Sequence, residues 1–109
     1  VSRPPLRVTE LVTPLKPLEA MAMGKALVVS DLPALRELAG SEETARFFQP
    51  GDAADLAQQC RLLLEDRALR QRMAHSARQW VQQHRNWPAV LRCLYPAYES
   101  VLAARRAAA

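Results

Sequence analysis

Cysteine, glycine and aromatic residues are scarce in this chain of 109 residues: two cysteines, three glycines, and two each of Trp, Tyr and Phe. Cys60 and Cys93 lie far apart, and no second Cys or His stands at metal-ligand spacing. That excludes a disulfide framework or a zinc site and leaves two small apolar thiols expected to be buried in a reducing compartment. No apolar run is long enough to cross a bilayer and no signal peptide is present, so the expected location is cytoplasmic. Glycine-rich phosphate loops of the G-x-G-x-x-G or P-loop type are missing, as is H-E-x-x-H. None of the serines sits in a nucleophile elbow. His75 and His84 fall on a helical stretch without an acid or nucleophile at useful spacing, and read as surface or interface residues.

What is present is apolar content, half of the residues, enough for one modest core or for part of a larger one. The formal net charge of +4 is uneven: residues 1–59 hold six Lys/Arg against eight Asp/Glu, and residues 60–109 hold nine arginines against three acids. A basic second half allows a nucleic-acid or anionic-membrane face, but arginines scattered along helices more often serve solvation.

The chain is organised around Thr13-Pro14-Leu15-Lys16-Pro17-Leu18-Glu19-Ala20-Met21-Ala22-Met23-Gly24. Pro17 suits a first helical position, Glu19 would then lie in the first turn near the positive end of the macrodipole, and Gly24 can close the helix in a left-handed conformation. A helix start with free N–H groups, a lysine and a carboxylate suits a phosphorylated ligand bearing a sugar hydroxyl. An ordinary capped helix has the same spacing.

Before this motif, Val1 to Val12 contains Pro4 and Pro5 and little periodicity, and is expected to be extended, in a chain that begins mid-domain. The helix Pro17–Met23 is apolar on all sides, which predicts burial on most faces. Ala26 to Ser30 reads as a strand buried on both faces of a parallel sheet, with Ser30 and Asp31 at the carboxyl end where α/β folds bind ligands. A short helix, Ala34 to Ala39, is closed by Gly40, and the next strand is Arg46 to Gln49, ended by Pro50-Gly51.

Asp52 caps the following helix, with Asp55 adding a second favourable charge and Leu56, Cys60 and Leu63 on one stripe. After Glu65-Asp66 the phase restarts with Leu69, Met73, Ala77 and Trp80, and Arg70, Arg72 and Arg78 on the outer face. Asn86 caps a last helix with Trp87 and Pro88 in its first turn, Leu91, Leu94, Tyr98, Val101 and Leu102 at helical spacing, and Pro96 expected to kink it. The tail after Leu102 is expected to fray.

The run Leu18-Glu19-Ala20-Met21-Ala22-Met23-Gly24-Lys25-Ala26-Leu27-Val28-Val29-Ser30-Asp31 resembles the donor-site segment of family 4 (group 1) glycosyltransferases. Leu35-Arg36-Glu37-Leu38, Thr44 to Asp52, Leu56-Ala57, Trp87 and Tyr98 follow in the family's order. The resemblance implies an α/β fold: the C-terminal part of a GT-B Rossmann-like nucleotide-sugar-binding domain, helix-rich with few parallel strands, and truncated. Residues 1–85 would form the partial donor-binding domain, and residues 86–109 a kinked helix crossing back to an N-terminal domain upstream.

The same resemblance implies retaining transfer of a glycosyl group from a nucleotide-diphosphate sugar to an acceptor that is a glycan, lipid or small molecule, with no metal or other cofactor. Glu19 matches the second glutamate of the family's E-x7-E pattern, which accepts hydrogen bonds from the donor ribose. Leu15 and Lys16 match positions whose main-chain N–H groups meet the base or diphosphate, and Thr13 belongs to the same donor loop. Strict spacing puts Leu11 at the first glutamate; Glu10, one residue further back, is the one candidate for contact with the transferred sugar. Pro33-Ala34 and Ala45 stand where the family commonly has glycines. The basic pair that neutralises the leaving diphosphate belongs upstream, so the segment alone is expected to be inactive. Contact with the inner face of a membrane is compatible with this reading, and nucleic acid is not an expected partner. The alternatives are a non-catalytic basic helical module for nucleic acid or anionic membrane, and a degenerate glycosyltransferase-like partner subunit.

Overall fold

The β-branched run after Gly24 is committed to a sheet. In a computed structural model describing all 109 residues, strand β1 (Val28–Ser30) pairs in parallel with β2 (Arg46–Phe48), in the register Val28 to Arg46, Val29 to Phe47 and Ser30 to Phe48. The ladder extends beyond the assigned strands, since Arg46 N–H donates to Leu27 O (2.8 Å) and Asp31 N–H to Phe48 O (2.8 Å). Parallel strands need a crossover between them, and helix α3 (Pro33–Ala39) supplies it. Pro33 is its first residue, where the missing N–H costs nothing.

Before β1 come α1 (Arg7–Leu11) and α2 (Leu15–Ala22); after β2 come α4 (Ala53–Glu65), α5 (Arg67–His84) and α6 (Trp87–Ala107). The core gathers Met21 of α2, Val29 of β1, Leu35 and Leu38 of α3, Phe47 of β2 and Ala77 of α5 into one buried cluster. Helix α2 lies against α5 and α3, while α4 covers the two strands. This is the helix-rich α/β arrangement with few parallel strands that the sequence implied.

Several expectations are corrected. Residues 1–12 are extended only at first: Ser30 N–H donates to Val1 O (3.0 Å) and Arg3 N–H to Ser30 Oγ (2.8 Å), so the leading residues run beside β1. Arg7–Leu11 is helical. Thr9 starts that turn, because its Oγ1 accepts the Leu6 N–H (3.0 Å) and donates to Leu6 O (2.8 Å). Helix α2 begins at Leu15, two residues before Pro17, because any position in the first turn tolerates a missing N–H. Glu19 is therefore in the second turn, and its carboxylate does not serve the dipole at the first. Only one face of α2 is covered: Pro17 and Met21 are buried, whereas Met23 is 72% exposed. Gly24 (φ +65°) ends the helix as expected, with its N–H on Met21 O (2.9 Å) and the Lys25 N–H on Ala20 O (3.0 Å).

Side-chain caps fall where local chemistry placed them. Asp52 accepts from Asp55 N–H (2.9 Å), Asp66 from Leu69 N–H (2.8 Å) and Asn86 from Ala89 N–H (2.8 Å). Asp55 is also bonded by the Gln59 side chain (3.0 Å) and by Gln49 N–H (2.7 Å). In that order these two bonds hold its carboxyl below the ordinary value. Arg70 is not on the outer face: its Nη1 reaches back to the terminal α4 carbonyls of Leu63 (2.5 Å) and Leu64 (3.2 Å). Helix α6 runs past Leu102 to Ala107, where Arg105 and Arg106 complement its negative end. Pro96 lies inside α6, which none of its own residues buries. Its apolar stripe, including Leu91, Leu94, Tyr98 and Val101, is exposed, and the molecule measures 62 × 29 × 17 Å. Cys93 on this helix is consequently exposed and Cys60 half-buried, against the expectation that both be buried. No helix is long and apolar enough to cross a membrane.

Trp80 ties α5 to the crossover helix. Its Nε1–H donates to Leu38 O (2.9 Å), and a Cβ built on Gly40 (φ +87°) would lie 2.8 Å from its ring. The His84 ring stacks on the indole at 4.0 Å between centroids, so the indole has little freedom to move. Gly40→Ala is expected to cost about 2–4 kcal/mol, combining the positive φ with overpacking. Gly51→Ala, at φ +83° with open space around it, should cost about 1–2 kcal/mol from the backbone alone. Denaturant midpoints of the two variants test this ordering; equal losses would show that Trp80 yields.

Candidate functional site

The carboxyl end of a parallel sheet is where an α/β fold offers its ligand edge. Here Ser30 is fully buried and its hydroxyl is taken by Arg3 N–H. Asp31 is closed by a two-pronged bond from Arg36, Nε to Oδ1 at 2.6 Å and Nη2 to Oδ2 at 2.8 Å. Arg36 also reaches Glu42 (3.3 Å) and lies over the Phe47 ring at 4.0 Å. These groups brace the edge; none is a free acid or base.

The unbraced chemistry is at the start of α2. Pro14 is its N-cap residue and offers no side-chain acceptor, and the N–H groups of Leu15 and Lys16 donate to nothing in the chain. Thr13, Leu15, Lys16 and Glu19 are all exposed. Glu19 stands four residues after Leu15 and three after Lys16, hence on the same side of the helix and about 6 Å along its axis. Side chains on a helix lean toward its N-terminus, the end at which the open N–H groups lie. Neither Lys16 nor Glu19 takes part in any of the four ion pairs.

The sequence-derived residues thus divide. Thr13, Leu15, Lys16 and Glu19 share one helix start and the turn after it. Glu10 is on the preceding helix, half-buried, with its own N–H on Leu6 O (3.0 Å). A cleft of about 450 Å³ lies elsewhere, among Glu42, Glu43, Leu69, Arg72, Met73 and Ser76, and a smaller one of about 140 Å³ sits by Phe48, Asp52 and Leu56. Neither is lined by the expected residues, whose site is an open surface. One neighbour escaped the sequence reading: Arg3, whose Nη1 donates to Val12 O at 2.8 Å, directly before Thr13. An arginine in an extended leader carries no local signal for a bond nine residues on.

Residues 12–80, the span from the residue before Thr13 to the end of the Trp80 contact, match the sequence family described as glycosyl transferases group 1. The chain belongs to the group 1 glycosyltransferases. Among solved structures, sucrose-phosphate synthase from Thermosynechococcus elongatus superposes with a TM-score of 0.73 at 31% identity, over 84% of this chain and 23% of that one. The chain therefore spans less than a quarter of that relative, and the shared part has the GT-B α/β architecture. A search of curated proteins gives no match. For this group 1 glycosyltransferase chain, the matched span includes Thr13, Leu15, Lys16 and Glu19 and leaves out Glu10 and all of α6. Family and fold are those of glycosyltransferases. They do not favour the basic-module alternative.

The Asp31–Arg36 pair gives a pH-dependent check on the ligand edge. The Arg36 hydrogen bond, opposed by burial and helped by the Arg36 charge, holds the Asp31 carboxyl below its usual range, while Asp31 raises Arg36. A carboxyl depressed in the folded state contributes stability above its unfolded pKa of about 3.9, and the contribution is lost as pH falls through the folded value. With side chains 29% and 43% exposed the effect is small, about 0.5–1 kcal/mol. Arg36→Met should return the Asp31 carboxyl, followed by carbon-detected NMR titration, to the ordinary range. An Asp31 that already titrates there in the unaltered chain would contradict the bond.

Proposed function

We propose that the chain supplies part of the donor site of a retaining glycosyltransferase that uses a nucleotide-diphosphate sugar. The observation that carries this reading is the uncapped start of α2, with the N–H groups of Leu15 and Lys16 unpaired and Glu19 one turn on, inside the family-matched span. Two open N–H groups at the positive end of a helix suit a diphosphate, and the Lys16 ammonium adds charge beside them. A carboxylate can accept two hydrogen bonds at once, which fits Glu19 to the vicinal hydroxyls of the donor ribose. Thr13, next to Pro14, contributes an exposed hydroxyl at the mouth of the same loop. Glu10 is assigned to the transferred sugar as the nearest acid on the preceding helix.

In this reading the bond between the anomeric carbon and the diphosphate oxygen breaks, and the leaving oxygen takes the electron pair. Donors already aimed at that oxygen stabilise the charge as it develops, without reorganisation. The acceptor hydroxyl adds to the same face of the sugar and passes its proton to the departing diphosphate oxygen. Neither a metal ion nor another cofactor is called for, because the helix start and basic side chains meet the diphosphate. Residues 1–85 act as the donor-binding part, and α6, with its uncovered apolar stripe, as a separate element that lies on a further domain. An exposed Cys93 thiol suits a reducing, cytoplasmic setting.

Glu19→Ala is expected to weaken binding of the matching nucleoside diphosphate by about 1–3 kcal/mol, the range for hydrogen bonds to a charged group. Isothermal titration calorimetry with uridine, guanosine and adenosine diphosphates measures this, and an affinity unchanged by the substitution would remove Glu19 from the ribose.

A further inference from the structure

Between α1 and α2 the backbone of Val12, Thr13 and Pro14 has no regular structure and leads directly into the first turn of α2, where the open N–H groups lie. Thr13 precedes a proline, so it is confined to extended conformations, and Pro14 itself is extended (φ −78°, ψ 147°). The segment is stiff within itself, and its placement depends on what holds its first residue. That residue is Val12, and two contacts hold it: its N–H on Val8 O (3.0 Å) and its carbonyl on the Arg3 guanidinium (2.8 Å). Helix α1 lies against α3 but has no buried residue, so the first contact ties Val12 to a helix seated on the surface.

Arg3 is anchored differently. It precedes Pro4, which keeps it extended, and it lies beside β1 with its N–H on the fully buried Ser30 (2.8 Å). One residue therefore bonds the carboxyl end of the sheet through its backbone and the entrance of the α2 loop through its side chain. Its guanidinium belongs to no ion pair, so the Val12 carbonyl is its assigned partner in the chain. A charged donor on a carbonyl is stronger than a neutral one, and this clasp closes the whole excursion from Pro4 to Leu11.

We propose that Arg3 is a positioning residue of the donor site: it transmits the position of the β1 edge to Val12 and so fixes the loop that enters the first turn of α2, beside the Leu15 and Lys16 N–H groups. The proposal rests on the donor-site reading above. Arg3 itself need not touch the ligand. Removing its side chain frees the loop and leaves the core untouched, because the core cluster contains no residue before Met21.

The test uses the whole chain as Arg3→Ala, Arg3→Lys and Glu19→Ala, with the same three nucleoside diphosphates as probes. Without nucleotide, Arg3→Ala is expected to lower the backbone ¹⁵N order parameters of Val12, Thr13, Leu15 and Lys16 from near 0.85 toward 0.6, leaving those of α5 unchanged. Affinity should fall roughly 3- to 10-fold, less than a direct charge-assisted bond to the ligand contributes because Arg3 acts through the loop, and Arg3→Lys should recover part of both losses. Loop order and affinity both unchanged in Arg3→Ala, while Glu19→Ala still weakens binding, would overturn the role of Arg3 and leave the donor site standing. Lost affinity with unchanged loop order would also overturn it, since the guanidinium would then act on the ligand directly. If the unaltered chain binds none of the three nucleotides, the donor-site reading fails and the positioning role fails with it.

Discussion

Everything in this molecule is hung on the parallel pairing of two strands that are each only three residues long. A pair this short cannot persist in water unless both faces are covered. Val29 and Phe47 meet in register at its centre, and the surrounding helices supply the cover. Because the strands are parallel, the chain must cross over between them, and α3 returns it to the same end. That fixes Ser30, Asp31 and Phe48 at one edge, with the leader and α2 beside it. The edge is then rigidified by bonds that have no catalytic use: Arg36 on Asp31, Arg3 on Ser30, Asp31 N–H on Phe48 O.

How much of this could be read beforehand follows from the range of the interactions. Gly24, Gly40, Asp52 and Asn86 were legible because a helix end asks for a left-handed residue or a short polar side chain within a few positions. Strand β1 was legible from a continuous apolar run with two valines, since burial on both faces removes the alternation. Pro17 misplaced the start of α2 because proline is equally tolerated anywhere in the first turn, and only the tertiary contacts decide. Helix α1 escaped notice because it buries nothing and so leaves no apolar period. Arg3 was illegible in principle: its partners are nine and twenty-seven residues away.

The arginines of the second half show why net charge is a weak guide to a ligand. Arg70 caps the carbonyls at the end of α4, and Arg85 donates to Glu37 O (2.6 Å), holding the end of α3 beside the Trp80 bond to Leu38. Arg61 faces Glu65 one turn along α4, at 4.0 Å. These three charges are committed to carbonyls and neighbours of their own chain and are not free for a ligand. By contrast, the two most informative donors, the N–H groups of Leu15 and Lys16, carry no formal charge and do not appear in any composition count.

An uncapped helix start is a cost in folding, because N–H groups that an aspartate or asparagine could have satisfied are left to solvent. The same chain caps α4, α5 and α6 with Asp52, Asp66 and Asn86, so the means to close a helix start were at hand three times. Helix α2 has Pro14 instead, which has no side-chain acceptor and holds the backbone extended. A cap at that position would place an oxygen where the proposed diphosphate oxygens must sit. The absence of a cap and the presence of a brace one residue before the loop are then two sides of one arrangement. The donors stay unsatisfied within the chain, and Arg3 holds the residue from which the loop toward them departs.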